Sequence, residues 1–228
     1  MTNTTLFAAS LLSLILLNAP ATLAEQPTAA EPSTLTIRLY NRAEAPTELL
    51  SAAAEIGRQI FSQAGLDTIW VICGSSPDQP SHASCHESPG KSVIRVNVLN
   101  REMASKIGTA PEAFGVAFPS KRGFGLIAAV FHHRIAELER DWGRDGDLLM
   151  GHILAHEIGH LLLGFSSHAQ RGIMSALWEE TEMMHAEQGT FNFYKSQARR
   201  MRKQVQARVE HDRDSAAAKL LAASKRVN

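Results

Sequence analysis

The interpretation of this sequence starts from residues 153–174, which read ILAHEIGHLLLGFSSHAQRGIM. His156 and His160 are four residues apart, so on a helix both imidazoles lie on one face, with Cβ atoms about 5 to 6 Å apart. The segment around them, residues 146–164, is apolar on nearly every side except the one that carries the histidines. A helix that is apolar almost all round is a buried helix. The stretch therefore predicts a buried helix that carries a metal site.

Zinc is the metal that this pattern favours. Zinc prefers four tetrahedral positions and accepts imidazole nitrogens, so two histidines and a third protein ligand leave one position open for water. Glu157 follows His156 on the helix and can direct its carboxylate at that water as a general base. The pattern thus predicts a catalytic site with one Zn²⁺ rather than a purely structural one.

The third ligand must come from beyond the end of the helix. Gly164 is suited to ending it, because glycine tolerates the left-handed backbone found at helix C-termini. His168 follows in the loop, and Met174 is expected in a tight turn as a polarisable apolar floor under the metal. Glu179 or Glu180 remains open as the third ligand instead. His152, one turn before His156, is expected either to line the cleft or to be structural.

The stretch resembles the metzincin clan of zinc peptidases, whose motif is His-Glu-x-x-His-x-x-Gly-x-x-His followed by a Met-turn. The motif here is longer, His-Glu-x-x-His-x-x-x-Gly-x-x-x-His, and is similar to that of secreted bacterial proteins with the same stretched spacing. The resemblance implies zinc ligation by His156, His160 and His168, a base at Glu157 and a Met-turn at Met174. It also implies that an edge strand aligns the substrate, with GLIAAVF (125–131) as the candidate.

Taken together, these features predict a secreted zinc metalloendopeptidase that acts on peptide or protein substrates. Two alternatives stay open. One is a non-catalytic, zinc-stabilised binding module of the cell envelope, against which the intact Glu157 argues. The other is a zinc amidase that acts on a non-peptide cell-wall substrate.

The first 24 residues predict a secretory signal peptide. An apolar run from Leu6 to Leu17 precedes small residues, and cleavage after Ala24 fits them. The run is too short to span a bilayer comfortably, because a spanning helix needs roughly 20 apolar residues. We therefore expect a secreted or periplasmic protein with no stable membrane insertion after cleavage.

The charge balance and the cysteines limit which binding partners and which cellular compartment we expect for this protein. The chain has 23 Lys and Arg against 23 Asp and Glu, so no overall field points to nucleic acid. Residues 195–228 are basic, which favours either a solvated helix or contact with an anionic surface. Cys73 and Cys85, the only two cysteines, are expected to form a disulfide in an oxidising compartment. The alternative is a second metal site built from Cys73, His82, Cys85 and His86.

The remaining pattern predicts an α+β fold with a twisted mixed sheet, and the resemblance implies that this fold is metzincin-like, with an active-site helix and a small C-terminal helical lobe. Strands are expected at 34–41, 67–73, 92–99 and in 113–119 and 125–131, and helices at 46–65, 133–142, 146–164 and 192–212. After the signal, residues 25–33 are expected to be a linker. Residues 34–228 form the metallopeptidase-like domain, divided into an N-terminal lobe (34–164) and a C-terminal lobe (165–228).

Overall fold

The computed structural model describes residues 33–74, 82–121, 123–143 and 145–225. The predicted signal peptide (1–24) and nearly all of the predicted linker (25–33) lie outside these residues. The described part contains one five-stranded sheet in the order β2-β1-β3-β5-β4. Its strands are β1 (Thr34–Asn41), β2 (Asp67–Cys73), β3 (Val93–Leu99), β4 (Gly115–Phe118) and β5 (Ile127–Phe131).

The sheet is mixed, as predicted. β2, β1, β3 and β5 are parallel neighbours, and β4 pairs with β5 in the antiparallel direction. β5 is buried on both faces: Ala128 and Val130 belong to the main core, whereas Ala129 and Phe131 belong to a smaller cluster on the other side. This near-continuous apolar run is typical of a parallel strand covered on two sides.

Two helices cover the main face of the sheet. α1 (Thr47–Gln63) and α4 (Gly146–Leu163) pack closely along each other. Gly151 of α4 allows this approach, because a Cβ there would lie 2.6 Å from Ile56 Cγ2 of α1. α4 is buried on almost every side, as its sequence predicted.

The remaining helices are α2 (Arg101–Ser105), α3 (His132–Trp142), α5 (Glu180–Glu187) and α6 (Lys195–Ser224), with a single 3₁₀ turn at Ala83–His86. α6 is longer than the predicted helix, which ended at residue 212. It packs against α4 and β1 through one buried stripe that includes Ala198, Met201 and Val205. α2 and α5 were not predicted.

The disulfide between Cys73 and Cys85 is formed. This confirms that prediction, and the alternative of a second metal site using the two thiols is wrong because both sulfurs are bonded. Arg38 Nη1 donates to the Glu87 carbonyl at 2.8 Å, and the Tyr40 hydroxyl donates to the Cys85 carbonyl at 2.9 Å. β1 therefore holds the segment that carries Cys85 against the sheet.

None of the helices in the described ranges combines the length and apolar character that crossing a membrane requires.

Candidate metal centre

α4 places two imidazoles side by side one helical turn apart. The Nε2 atoms of His156 and His160 are 3.0 Å apart. The ring planes are nearly perpendicular, with centroids 4.7 Å apart. The i, i+4 spacing therefore directs both nitrogens at one point, as predicted.

The loop after α4 brings His168 to the same point. Its Nε2 lies 3.1 Å from that of His160, and the ligand atoms of the three histidines all lie within 4.8 Å of one another. The stretched spacing is accommodated by two residues with positive φ, Gly164 at 88° and Ser166 at 59°. Gly164 ends the helix as predicted, but its ψ of −172° sends the chain away extended rather than in the left-handed cap conformation.

The two glutamates considered as rival ligands lie elsewhere. Glu179 is the N-cap of α5, where its backbone N–H bonds the Glu182 carboxylate, and Glu179 and Glu180 are both exposed. Among the described residues, the group that could hold a metal ion is His156, His160 and His168. We call it the three-histidine group.

Hydrogen bonds hold two of the rings from the far side, and one of these bonds sets a tautomer. His156 Nδ1 lies 2.7 Å from the Ile173 carbonyl, and a carbonyl oxygen only accepts, so this Nδ1 carries the proton. His160 Nδ1 is bonded to the buried Ser167 hydroxyl at 2.7 Å. The His156 Nε2 therefore presents a lone pair to its neighbours, which is the form that binds a metal.

Burial keeps these rings neutral. It lowers the pKa of His156 to about 4, with the Ile173 carbonyl partly opposing the shift. Burial, together with the neighbouring His156 and His168, lowers the pKa of His160 to about 3. Neutral imidazoles whose lone pairs converge repel each other unless a cation lies between them.

The donor set fits a zinc ion. Imidazole nitrogens that bind zinc tetrahedrally at about 2.0 to 2.1 Å are about 3.3 Å from one another. The observed separations of 3.0 and 3.1 Å are close to this spacing. Three imidazole nitrogens on one side and an open cleft on the other match a site with one coordination position left for a non-protein ligand.

Glu157 lies against the first residue of β4. It is buried, and a Cβ built on Gly115 would lie 2.8 Å from Glu157 Cγ and 2.9 Å from its Oε1. Burial raises the pKa of this carboxyl to about 8. A divalent cation at the three-histidine group would oppose that shift by favouring the charged carboxylate.

Met174 packs against α4 at Gly159, the residue before His160. It is fully buried, and a Cβ on Gly159 of α4 would come within 2.6 Å of its Sδ. The turn is closed by a hydrogen bond from the Ala169 N–H to the Met174 carbonyl at 2.8 Å. The same turn supplies the Ile173 carbonyl that orients His156.

His152 does not join the group. Its Nδ1 lies 2.9 Å from the Leu148 carbonyl, and its ring packs on Phe191 with centroids 5.7 Å apart. It is buried outside the cleft, so the structural one of its two predicted roles fits its surroundings.

An open cleft of about 830 Å³ borders the three-histidine group and Glu157. Its walls are β4, one face of α3, α4 and the segment after the Met174 turn. Trp178 lines the cleft, with its indole N–H bonded to the Ser175 carbonyl at 3.1 Å and its ring edge against His156. Phe165 also lines the cleft and is 56% exposed.

The edge strand beside this cleft is β4, not the segment proposed from the sequence. GLIAAVF contains β5, which lies between β3 and β4. His132 and His133 begin α3. The sequence did not single out Gly115 and Arg134 of the cleft, although a glycine inside a strand pattern is a signal of close approach.

Three solved structures are similar to this chain. Archaemetzincin from Methanopyrus kandleri aligns with 78% of this chain and 99% of its own, at 13% identity and a TM-score of 0.48. A zinc-dependent peptidase from Methanocorpusculum labreanum aligns with 72% and 99%, at 16% identity and 0.46. Metalloproteinase-II from Bacteroides fragilis aligns with 79% of this chain and 55% of its own, at 15% identity and 0.47. No family model matches the sequence, and a search of curated proteins finds no match.

Proposed function

We propose that this protein is a secreted zinc metalloendopeptidase that hydrolyses peptide bonds in the cleft beside α4. One observation carries the proposal: three imidazole Nε2 atoms converge next to a buried carboxylate at the wall of an open cleft. A binding site with a purely structural metal needs neither the carboxylate nor the cleft.

His156, His160 and His168 would hold one zinc ion. Zinc bound there would polarise the scissile carbonyl, lower the pKa of water and stabilise negative charge on the carbonyl oxygen. Ser167 and the Ile173 carbonyl orient His160 and His156 from behind, because each bonds the nitrogen that faces away from the metal.

Glu157 would act as general base and then as general acid. Its carboxylate takes a proton from the attacking water as the water oxygen bonds the carbonyl carbon. It returns that proton to the amide nitrogen when the C–N bond breaks, so that an amine leaves and a carboxylic acid remains. The contact with Gly115 holds the carboxylate at the cleft wall.

β4 would align the substrate. It is the last strand of the sheet, and its residues line the cleft. An extended peptide can pair with the backbone of such an edge and present one carbonyl to the catalytic groups. The predicted signal peptide and the Cys73–Cys85 disulfide support action outside the cytoplasm.

The decisive experiment compares the purified, zinc-loaded protein with Glu157→Gln on a diverse peptide library, with products identified by mass spectrometry. We expect the parent to cleave, and the variant to keep its zinc but lose at least about 100-fold in rate, the lower range for losing a general base. If the parent holds zinc and cleaves no peptide, the peptidase proposal is wrong, and the binding-module and amidase alternatives take its place.

The ligand set is tested separately by metal content. We expect His168→Ala to lose zinc after dialysis, as measured by atomic absorption, whereas Glu179→Gln and Glu180→Gln retain it. Retention of zinc by His168→Ala together with its loss in a glutamate variant would reverse the assignment of the third ligand.

A further inference from the structure

One face of α3 forms a charged wall of the cleft. Arg134, Glu137, Leu138 and Asp141 all line it, and they are spaced three, four and seven residues apart, as one helical face requires. The other walls are mainly apolar. α3 therefore contributes most of the Arg, Asp and Glu side chains that line the cleft, the others being Glu112 and Glu157.

No residue that the structure describes accepts a hydrogen bond from the Arg134 guanidinium. Its guanidinium carbon lies 5.9 Å from the Phe131 ring centroid, and its Nε is buried without a hydrogen-bond partner. Among the described residues it forms no ion pair, because the carboxylate one turn away, Glu137, is paired with Arg101. Arg38, Arg95 and Arg208 also have a buried Nε without a partner. Arg38 and Arg208 donate through their terminal nitrogens to backbone carbonyls, and Arg95 does not line the cleft.

A half-buried guanidinium is normally satisfied by hydrogen bonds, and its flat fork of donors matches the two oxygens of a carboxylate. Contact with Phe131 fixes the side chain from one side and leaves the cleft side for a ligand. Glu112 and Asp141 also line the cleft but are exposed, so water and salt screen them more strongly than Arg134.

We infer that Arg134 binds a carboxylate of the substrate, so that the cleft selects peptides that carry one close to the cleaved bond. The inference rests on the proposed peptidase function. The carboxylate can be an acidic side chain within the peptide or the C-terminal carboxylate, and the two sources imply internal and terminal cleavage respectively.

The test uses a set of acetylated octapeptide amides on a neutral background, in which each position in turn is Glu, Gln or Lys. A second pair compares a neutral peptide with a free C-terminal carboxylate and with an amide. Cleavage is measured as kcat/KM with the zinc-loaded protein. Binding is measured by calorimetry with Glu157→Gln, whose binding does not depend on turnover.

We expect kcat/KM for the Glu peptide to be about tenfold or more higher than for the Gln peptide at one position. Otherwise, kcat/KM for the peptide with a free C-terminal carboxylate should be higher than for its amide by the same factor, as suits a charge-assisted pair. Arg134→Gln should reduce the ratio below twofold, and Arg134→Lys should retain part of it. Arg140→Gln, an exposed arginine on the same helix that does not line the cleft, should leave the ratio unchanged. Melting curves and zinc content confirm that each variant is folded.

The inference is overturned if no position and no terminus favours a carboxylate, if Arg134→Gln keeps the preference, or if Lys peptides are preferred, since Glu112 and Asp141 would then dominate. The two proposals fail separately. Cleavage without carboxylate preference refutes the role of Arg134 alone, whereas Arg134-dependent binding of Glu peptides without cleavage refutes the peptidase alone.

Discussion

Gly115 leaves a gap where β4 passes over the Glu157 carboxylate. A Cβ there would lie 2.8 Å from Glu157 Cγ and 2.7 Å from the Ala129 carbonyl oxygen of the neighbouring strand. A Cβ at Gly115 would press on both the neighbouring strand and the Glu157 side chain, so β4 and the carboxylate could not both keep their positions. The absence of a side chain at Gly115 therefore determines where the proposed base stands.

We predict that Gly115→Ala lowers kcat by roughly 100-fold with unchanged zinc content, because a displacement of about 1 Å in a catalytic group can cost that much. Steady-state kinetics and metal analysis measure the two effects. Gly108→Ala is the control: its φ of 72° disfavours a side chain but nothing lies within 4 Å of it, so it should lose stability and keep kcat. Equal activity of parent and Gly115→Ala would contradict the prediction.

The residues that could be predicted are those whose geometry is local. His156, Glu157 and His160 follow from helical spacing alone, and Gly164 and Met174 from turn chemistry. His168 was predicted because the chain must turn back toward the helix to supply a third imidazole. In the structure, the chain turns at Gly164 and Ser166. Arg134 could not be predicted, because only the tertiary packing shows that α3 lines the cleft.

α6 binds carbonyl groups that other helices leave without partners. Arg200 donates to the Leu163 carbonyl and Arg208 to the Leu161 carbonyl at the end of α4, and Arg202 donates to the Ala64 carbonyl at the end of α1. The last four carbonyls of a helix lack partners within it, and cations are favoured there. Part of the basic charge of residues 195–228 therefore has a structural role.

Asp212 of α6 anchors the start of the segment that leads into β3. Its carboxylate accepts from the Lys91 N–H at 2.7 Å, the Ser92 N–H at 2.8 Å and the Ser92 hydroxyl at 2.6 Å. Burial alone would raise the pKa of Asp212, but the bonds from Ser92 and Lys91 outweigh it, so that this pKa lies below its ordinary value of 3.8.

We predict that Asp212→Asn lowers the free energy of unfolding by about 1 to 3 kcal/mol at pH 7, as for the loss of hydrogen bonds to a charged group. Because the folded-state pKa is lowered, this contribution is present above pH 3.8 and is lost as the pH falls through the folded-state value. Urea unfolding at pH 7 and pH 3 measures it. Asp214→Asn, a substitution at an exposed neighbouring position, should leave the free energy of unfolding unchanged at both pH values. An equal loss of this free energy for Asp212→Asn at both pH values would contradict the prediction.

The long elements could be predicted, because sustained apolar periodicity identifies them. The short, largely polar helices α2 and α5 could not, since a few residues carry no clear period. The order of β4 and β5 in the sheet was also missed, because both are short apolar segments and only pairing decides which of them forms the edge.

At the scale of the whole molecule, the disulfide and the cleft lie at opposite edges of the sheet. Cys73 ends β2, the first strand in the order β2-β1-β3-β5-β4, and the cleft borders β4, the last. The disulfide should therefore affect stability without affecting the site.

We predict that the double substitution Cys73→Ser, Cys85→Ser lowers Tm by about 6 to 12 °C, from a loss of about 3 kcal/mol for a short closed ring. Activity at 25 °C and zinc content should remain those of the parent. Calorimetry and peptide cleavage measure these quantities, and substitution avoids thiol reductants, which also bind zinc. A loss of zinc at 25 °C would show that the two edges are coupled.

The mixed sheet and the disulfide were predictable, because strand patterns and the position of two cysteines in one loop are visible in sequence. The position of the cleft was not, since it depends on how β4, α3 and the segment after α4 come together.

The hydrogen bonds that α6 arginines donate to carbonyls of α4 can form only late in the synthesis of the chain. The arginines that satisfy Leu163 and Leu161 come 37 and 47 residues after them in the chain. At about 5 to 20 residues per second, a ribosome makes that stretch in roughly 2 to 9 seconds. During this interval α4 already carries His156, Glu157 and His160 but lacks the arginine donors at its C-terminal end. The C-terminal end of α4 therefore gains its side-chain donors only after α6 has been made as far as Arg208, so the last turn of this helix is completed by residues that follow it late in the chain.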